Sequence, residues 1–158
     1  MVITNLQKFI YQISPFTIKG DDMEMAKYVL NKGSNKRLEI IDITKDINNI
    51  LTRCKINEGI INIFAKHSTA GIVINENESG LVKDFQNALE SLIPTGKGYL
   101  HDRIDNNADS HIRSFFIGSS ETIPIENGSL SLGTWQSVFF VELDGPRNRK
   151  FIVTVMGK

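Results

Sequence analysis

Cysteine occurs once in the 158 residues, at Cys54, so an intramolecular disulfide is excluded and the lone thiol suits a reducing compartment. Neither sign of charge is in excess: 18 basic residues face 18 acidic ones. Nucleic-acid binding and adhesion to an anionic membrane are therefore not expected from composition. No apolar run reaches the ~18 residues of a transmembrane helix. The start, Met1-Val-Ile-Thr-Asn-Leu-Gln-Lys, has no basic region followed by an apolar one, so a cytoplasmic protein without a signal peptide is expected. Also missing are a Walker loop, a Gly-x-Ser-x-Gly elbow and a dinucleotide fingerprint. The chain is shorter than the roughly 200 residues of a TIM barrel.

What is there is an ordinary globular composition, 41% hydrophobic and 23% charged. A chain of this length buries roughly 70% of its unfolded surface, enough for a core without disulfide or structural metal. The sequence reads as a single domain over residues 1–158. Residues 8–18 read as extended, with Pro15 suited to an edge or bulge. Residues 21–32 have weak helical character around Met23, Ala26, Tyr28 and Leu30, a possible insertion.

Strand 38–43 precedes a helix capped by Thr44, in which Ile47, Ile50, Leu51 and Cys54 recur at helical spacing. Cys54 on that stripe reads as a small core residue. Strands follow at 59–66 and 72–75. Leu81, Val82, Phe85, Ala88, Leu89, Leu92 and Ile93 then form the clearest amphipathic helix, ended by Pro94 and Gly96. A polar stretch at 95–110 leads to a short helix at 111–117. Strands 122–125 and 129–132 flank the hairpin signal Asn127-Gly128. Strands 135–143 and 151–156 are joined at Asp144-Gly145-Pro146. Strands outnumber helices and end in a meander, which predicts an α+β fold with a largely antiparallel sheet. Trp135 reads as a core anchor.

The chemistry-bearing residues sit at element boundaries, where functional groups project from a scaffold. His67 ends a strand, His101 lies in the polar loop and His111 starts the short helix. If they converge, three imidazoles with an open position make a zinc-like metal site; if not, they are three unrelated polar residues. Asn75, Glu76, Asp84, Asp102, Asp105, Asn107 and Asp109 supply either outer-shell acceptors or simple turn formers. Ser119 and Ser120 after Gly118, and Thr134 and Gln136 after Gly133, sit in small hydroxyl-rich turns suited to a phosphate. Arg147 and Arg149 add charge for an anion.

Taken together these pieces resemble the YjbQ-like family. Ser120-x-x-Ile123-x-Ile125-x-x-Gly128-x-x-x-x-Gly133-Thr134-Trp135-Gln136-x-Val138 looks like its signature. His67-Ser-Thr-Ala, Asn75-Glu76, Asp84, Tyr99-x-His101, Asp105-x-Asn107 and Ser110-His111 fall in the family order. Ser68 stands for the usual Thr, and Asp109 stands where many relatives carry a further histidine. The resemblance covers about 37–157, leaving 1–36 as an N-terminal extension.

The resemblance implies an α+β fold with a β-sandwich, a homotrimer, and His67, His101 and His111 gathered as a metal site. It also implies secondary thiamine-phosphate synthase activity, the joining of a pyrimidine diphosphate to a thiazole phosphate, as a side activity of that pocket. The candidate catalytic residues are Glu76, Asp105 and Asn107. The candidate phosphate ligands are Ser119, Ser120, Thr134, Gln136, Arg147 and Arg149. The implied partner is a small phosphorylated metabolite. The implied cofactor is a divalent metal, zinc-like at the histidines, with Mg²⁺ accompanying a diphosphate. The alternatives are a metal-dependent hydrolase of a phosphorylated small molecule, with Glu76 or Asp105 as base to a metal-bound water, and a non-enzymatic trimer binding a metal or metabolite.

Overall fold

The segment read as weakly helical is a long strand. In β2 (Glu24–Gly33) Tyr28 and Leu30 are buried, the two-residue period of a sheet face. Ten consecutive residues pair antiparallel with β9 (Asn148–Gly157). Local propensity favours neither state here, and the ladder offered by β9 decides. The computed structural model describes residues 10–12 and 23–158. Of the extended reading of 8–18, Ile10–Gln12 is strand β1; Pro15 and the rest lie outside the described residues, as do residues 21–22.

The remaining elements are β3 (Glu39–Asp42), α1 (Thr44–Cys54), β4 (Gly59–Ala65), β5 (Ala70–Glu76), α2 (Ser79–Leu92), a 3-10 turn (Leu100–Arg103), α3 (Ala108–Ile117), β6 (Ser120–Glu126), β7 (Ser129–Leu130) and β8 (Gln136–Glu142). They form two antiparallel sheets, ordered β1-β2-β9-β4-β6-β7 and β3-β8-β5. The architecture is α+β, as the strand count predicts.

β8 is buried on both faces from Val138 to Glu142. Val138 and Phe140 join Ile61, Ile63, Ile72, Val153 and Val155 in the core between the sheets, and Ile47, Ile50 and Leu51 of α1 pack into it. Val141 faces the other way, with Leu38, Leu89 and Leu143 in a smaller cluster under α2. Thr44 does not cap α1: its hydroxyl accepts from the Val138 N–H and ties the helix to β8. Cys54 packs at the edge of the main core, its thiol 3.4 Å from the Tyr28 hydroxyl.

Two features bring α3 to the place where the functional groups gather. Gly71 leaves no room for a side chain against Ile117 and Gly118, so the end of α3 lies directly on β5. Ser114 donates to the Ala70 carbonyl and Ser110 to the Leu143 carbonyl, which fixes the helix across the ends of β5 and β8.

Candidate functional site

The turn after β8 is the centre of a charged network. Asp144 is buried and accepts from Asn107 Nδ2 at 3.0 Å and from Arg147 Nη2 at 2.8 Å, with Arg37 Nη1 at 3.7 Å. Arg37 reaches further, donating to Asp109 at 2.8 Å. Asp109 also accepts from Thr95 and pairs with Arg113, whose guanidinium is buried and donates to the Ile93 carbonyl. Burial alone raises the Asp109 pKa, but the bonds from Thr95 and Arg37 and the charges of Arg37 and Arg113 outweigh it and hold the carboxyl below its ordinary value.

The histidines reach this network through α3. Asn107 precedes α3 and His111 lies one turn further on. Asp102 accepts from the Ala108 N–H, which fastens the 3-10 turn to the start of α3. The His101 ring lies edge-on to the His111 ring, 4.8 Å between centroids. Three side-chain atoms along this connected path are buried without a partner among the described residues: Arg37 Nε, His101 Nε2 and Asn107 Oδ1. Such atoms cost about 1–3 kcal/mol each when left dry, and native proteins keep few of them.

His67 is held elsewhere. Its Nε2 accepts from the Lys150 N–H at 3.0 Å, at the junction of β4 and β9. Burial, and then the charge of Arg149, push its pKa down. Among the described residues no group of three or more His, Cys, Asp or Glu is placed to hold a metal ion. Two imidazoles in contact and a third committed to a backbone N–H do not fit a three-histidine centre within one chain.

The other expected site residues are dispersed. Asn107 and Arg147 belong to the network around Asp144. Arg149 is buried and bonded to Glu142 and Thr69, leaving it as a structural cation. Ser120 pairs with Phe64 in the sheet, and the Ser119 carbonyl accepts from Ala65. Gln136 closes its own turn by accepting from the Gly133 N–H, and Thr134 is exposed beside it. Trp135, expected as a core anchor, is 73% exposed. Asp105 is exposed. Glu76 lines a separate cavity with Asp84. Arg37 and Asp144 were not singled out from sequence. Asp144 reads as a turn former before Gly145-Pro146, and Arg37 carries no local signal at all.

A family profile described as "UPF0047 protein YjbQ-like" matches residues 29–158. A UPF0047 protein of Methanothermobacter thermautotrophicus is 50% identical over 139 residues, covering 88% of this chain and 97% of that protein. The UPF0047 protein YugU of Bacillus subtilis is 38% identical, covering 78% and 94%. Among solved structures, a YbjQ-like protein of unknown function from Sulfolobus solfataricus superposes with a TM-score of 0.84 at 36% identity, covering 86% of this chain and 99% of that one. An uncharacterised protein from Clostridium acetobutylicum does so at 0.77 and 35%, covering 80% and 98%.

These findings correct the functional expectation. The relatives are named only as UPF0047 proteins or proteins of unknown function, so thiamine-phosphate synthase activity has no support. The three-histidine pocket on which it would run is not assembled by the described residues. A metal-bound water for the hydrolase alternative lacks its site for the same reason.

Proposed function

The chain belongs to the UPF0047 YjbQ-like family, and on that premise we propose that it binds a small phosphorylated or carboxylated metabolite where α3 meets the turn after β8. The observation that carries this reading is the set of three buried, unpartnered polar atoms on Arg37, His101 and Asn107. A bound solute bearing both acceptors and a donor can serve all three: its oxygens accept from Arg37 Nε–H, its hydroxyl donates to Asn107 Oδ1, and either group meets His101 Nε2 according to the ring's tautomer. Arg37, Arg113 and Arg147 supply three cations to this network, opposite Asp102, Asp109 and Asp144, and Arg37 keeps an N–H without a partner for an anion's oxygen. Arg147 is half-exposed and supplies a solvent-facing cation beside Asp144.

Calorimetric titration with inorganic phosphate, pyrophosphate and citrate tests the reading. We expect saturable binding by at least one of them, weakened roughly tenfold or more in Asn107→Leu, which keeps the size and removes both the acceptor and the donor to Asp144. Equal heats in the variant and the parent contradict it. A divalent ion belongs to this proposal only together with the ligand: His101 and His111 offer two imidazoles, and the remaining positions fall to the bound anion.

The same reading includes a homotrimer. Leu92, Leu100, Ile104, Phe115 and Phe116 are all at least 70% exposed, on the end of α2, the 3-10 turn and α3. Large apolar side chains concentrated in consecutive elements support a subunit interface. The number three comes from the family resemblance.

A further inference from the structure

Helix α2 packs on the sheet through a few apolar side chains along its length. Leu89 and Ile93 are buried, whereas Leu81 is 38% exposed. Beside Leu81–Ala88 lies a cavity of about 540 Å³, between α2 and the outer face of the three-stranded sheet. That volume is within the range of small-molecule sites, roughly 300–1,000 Å³. Its walls are apolar, with the rings of Phe85 and Phe139 joined by Ile40 and Val73. Its polar lining is of one sign. Glu76, Asp84 and Glu121 contribute three carboxylates, and no lysine, arginine or histidine takes part. None of the three carboxylates enters an ion pair among the described residues.

We propose that this cavity is a second ligand site, distinct from the Asp144 network, that takes a small organic ammonium compound with an aromatic or aliphatic body. Apolar walls exclude water from the body of such a ligand and supply the affinity. The carboxylates set the sign of its head group, since a neutral or anionic isostere leaves them unpaired or repelled. Asn75 adds a polar group beside them; its Oδ1 accepts from the Glu76 N–H, and its amide N–H groups remain for a ligand hydroxyl. Ala88 sits in the lining as its smallest side chain, one turn from Asp84, so enlarging it fills space without removing a carboxylate. This site explains where Glu76 and Asp84 belong, because neither lies in the histidine network.

The test is titration of the full chain with 2-phenylethylamine, its neutral isostere 2-phenylethanol, and 3-phenylpropionate. The amine is expected to bind at least about tenfold more tightly than the alcohol, with the carboxylate weakest. Glu76→Gln with Asp84→Asn changes only exposed side chains and is expected to weaken the amine roughly tenfold, at up to about 1 kcal/mol per pair. Ala88→Phe is expected to abolish binding of amine and alcohol alike. Equal affinity for amine and alcohol overturns the proposal, as does amine binding that survives Ala88→Phe. Amine affinity that falls as protein concentration rises through self-association also overturns it, because a second copy is then the occupant.

Discussion

At the scale of single residues, buried Asp109 and half-buried His67 both lower stability as pH falls, each in its own pH window. Asp109 holds three partners at once, and Arg113 is buried against it. Asp109→Asn keeps the shape and strands a buried guanidinium, so a loss of about 3–5 kcal/mol in denaturant unfolding is expected. A loss below about 1 kcal/mol contradicts the role given to this pair. The folded carboxyl titrates below its unfolded value of about 3.9, so this contribution is present above that pH and is lost as pH falls below it. His67 acts in the same direction at higher pH. Its folded pKa lies below the unfolded value of about 6.5, because burial and the Arg149 charge disfavour the imidazolium. Its effect is absent well above pH 6.5, and stability falls as pH drops from there toward the folded pKa. Urea midpoints at pH 5.5 and 7.5 are expected to lie closer together in His67→Gln than in the parent.

At the scale of elements, legibility followed how much each segment depends on distant partners. α2 is read correctly because its apolar stripe is continuous over seven residues. The β6–β7 hairpin is read from Asn127-Gly128, which both adopt positive φ. β2 is misread because its strand state comes from pairing with β9, more than a hundred residues away in sequence. If β2 is a core strand, Leu30→Ala costs about 2–4 kcal/mol, whereas in an appended helix it costs little. Urea unfolding separates the two. The candidate site divides in the same way. Asn107, His101, His111 and Arg147 stand in recognisable local motifs. Arg37 and Asp144 meet through a contact spanning most of the chain, which no local pattern encodes. Trp135 is misplaced in the core for a related reason: a tight turn closed by Gln136 and Gly133 turns it out to solvent.

At the scale of the whole molecule, no helix among the described residues is long and apolar enough to cross a membrane, yet the end of α2, the 3-10 turn and α3 carry large exposed apolar side chains. Phe115 is 88% exposed on the helix that also carries His111. Sedimentation at micromolar concentration is expected to give a trimer, and Phe115→Ser with Phe116→Ser is expected to give monomers that retain the fold. A monomeric parent contradicts this. The central claim is that the His101–Asn107–Arg37 path receives a small anion. Long-range ¹H–¹⁵N spectra of the histidine rings test it most directly, because the chain has only three histidines and His67 serves as an internal control, its Nε2 occupied by the Lys150 N–H. On titration with phosphate or pyrophosphate at constant pH and ionic strength, the ring nitrogens of His101 and His111 are predicted to shift and saturate while those of His67 stay put. No saturable shift, or equal shifts in all three rings, contradicts the account.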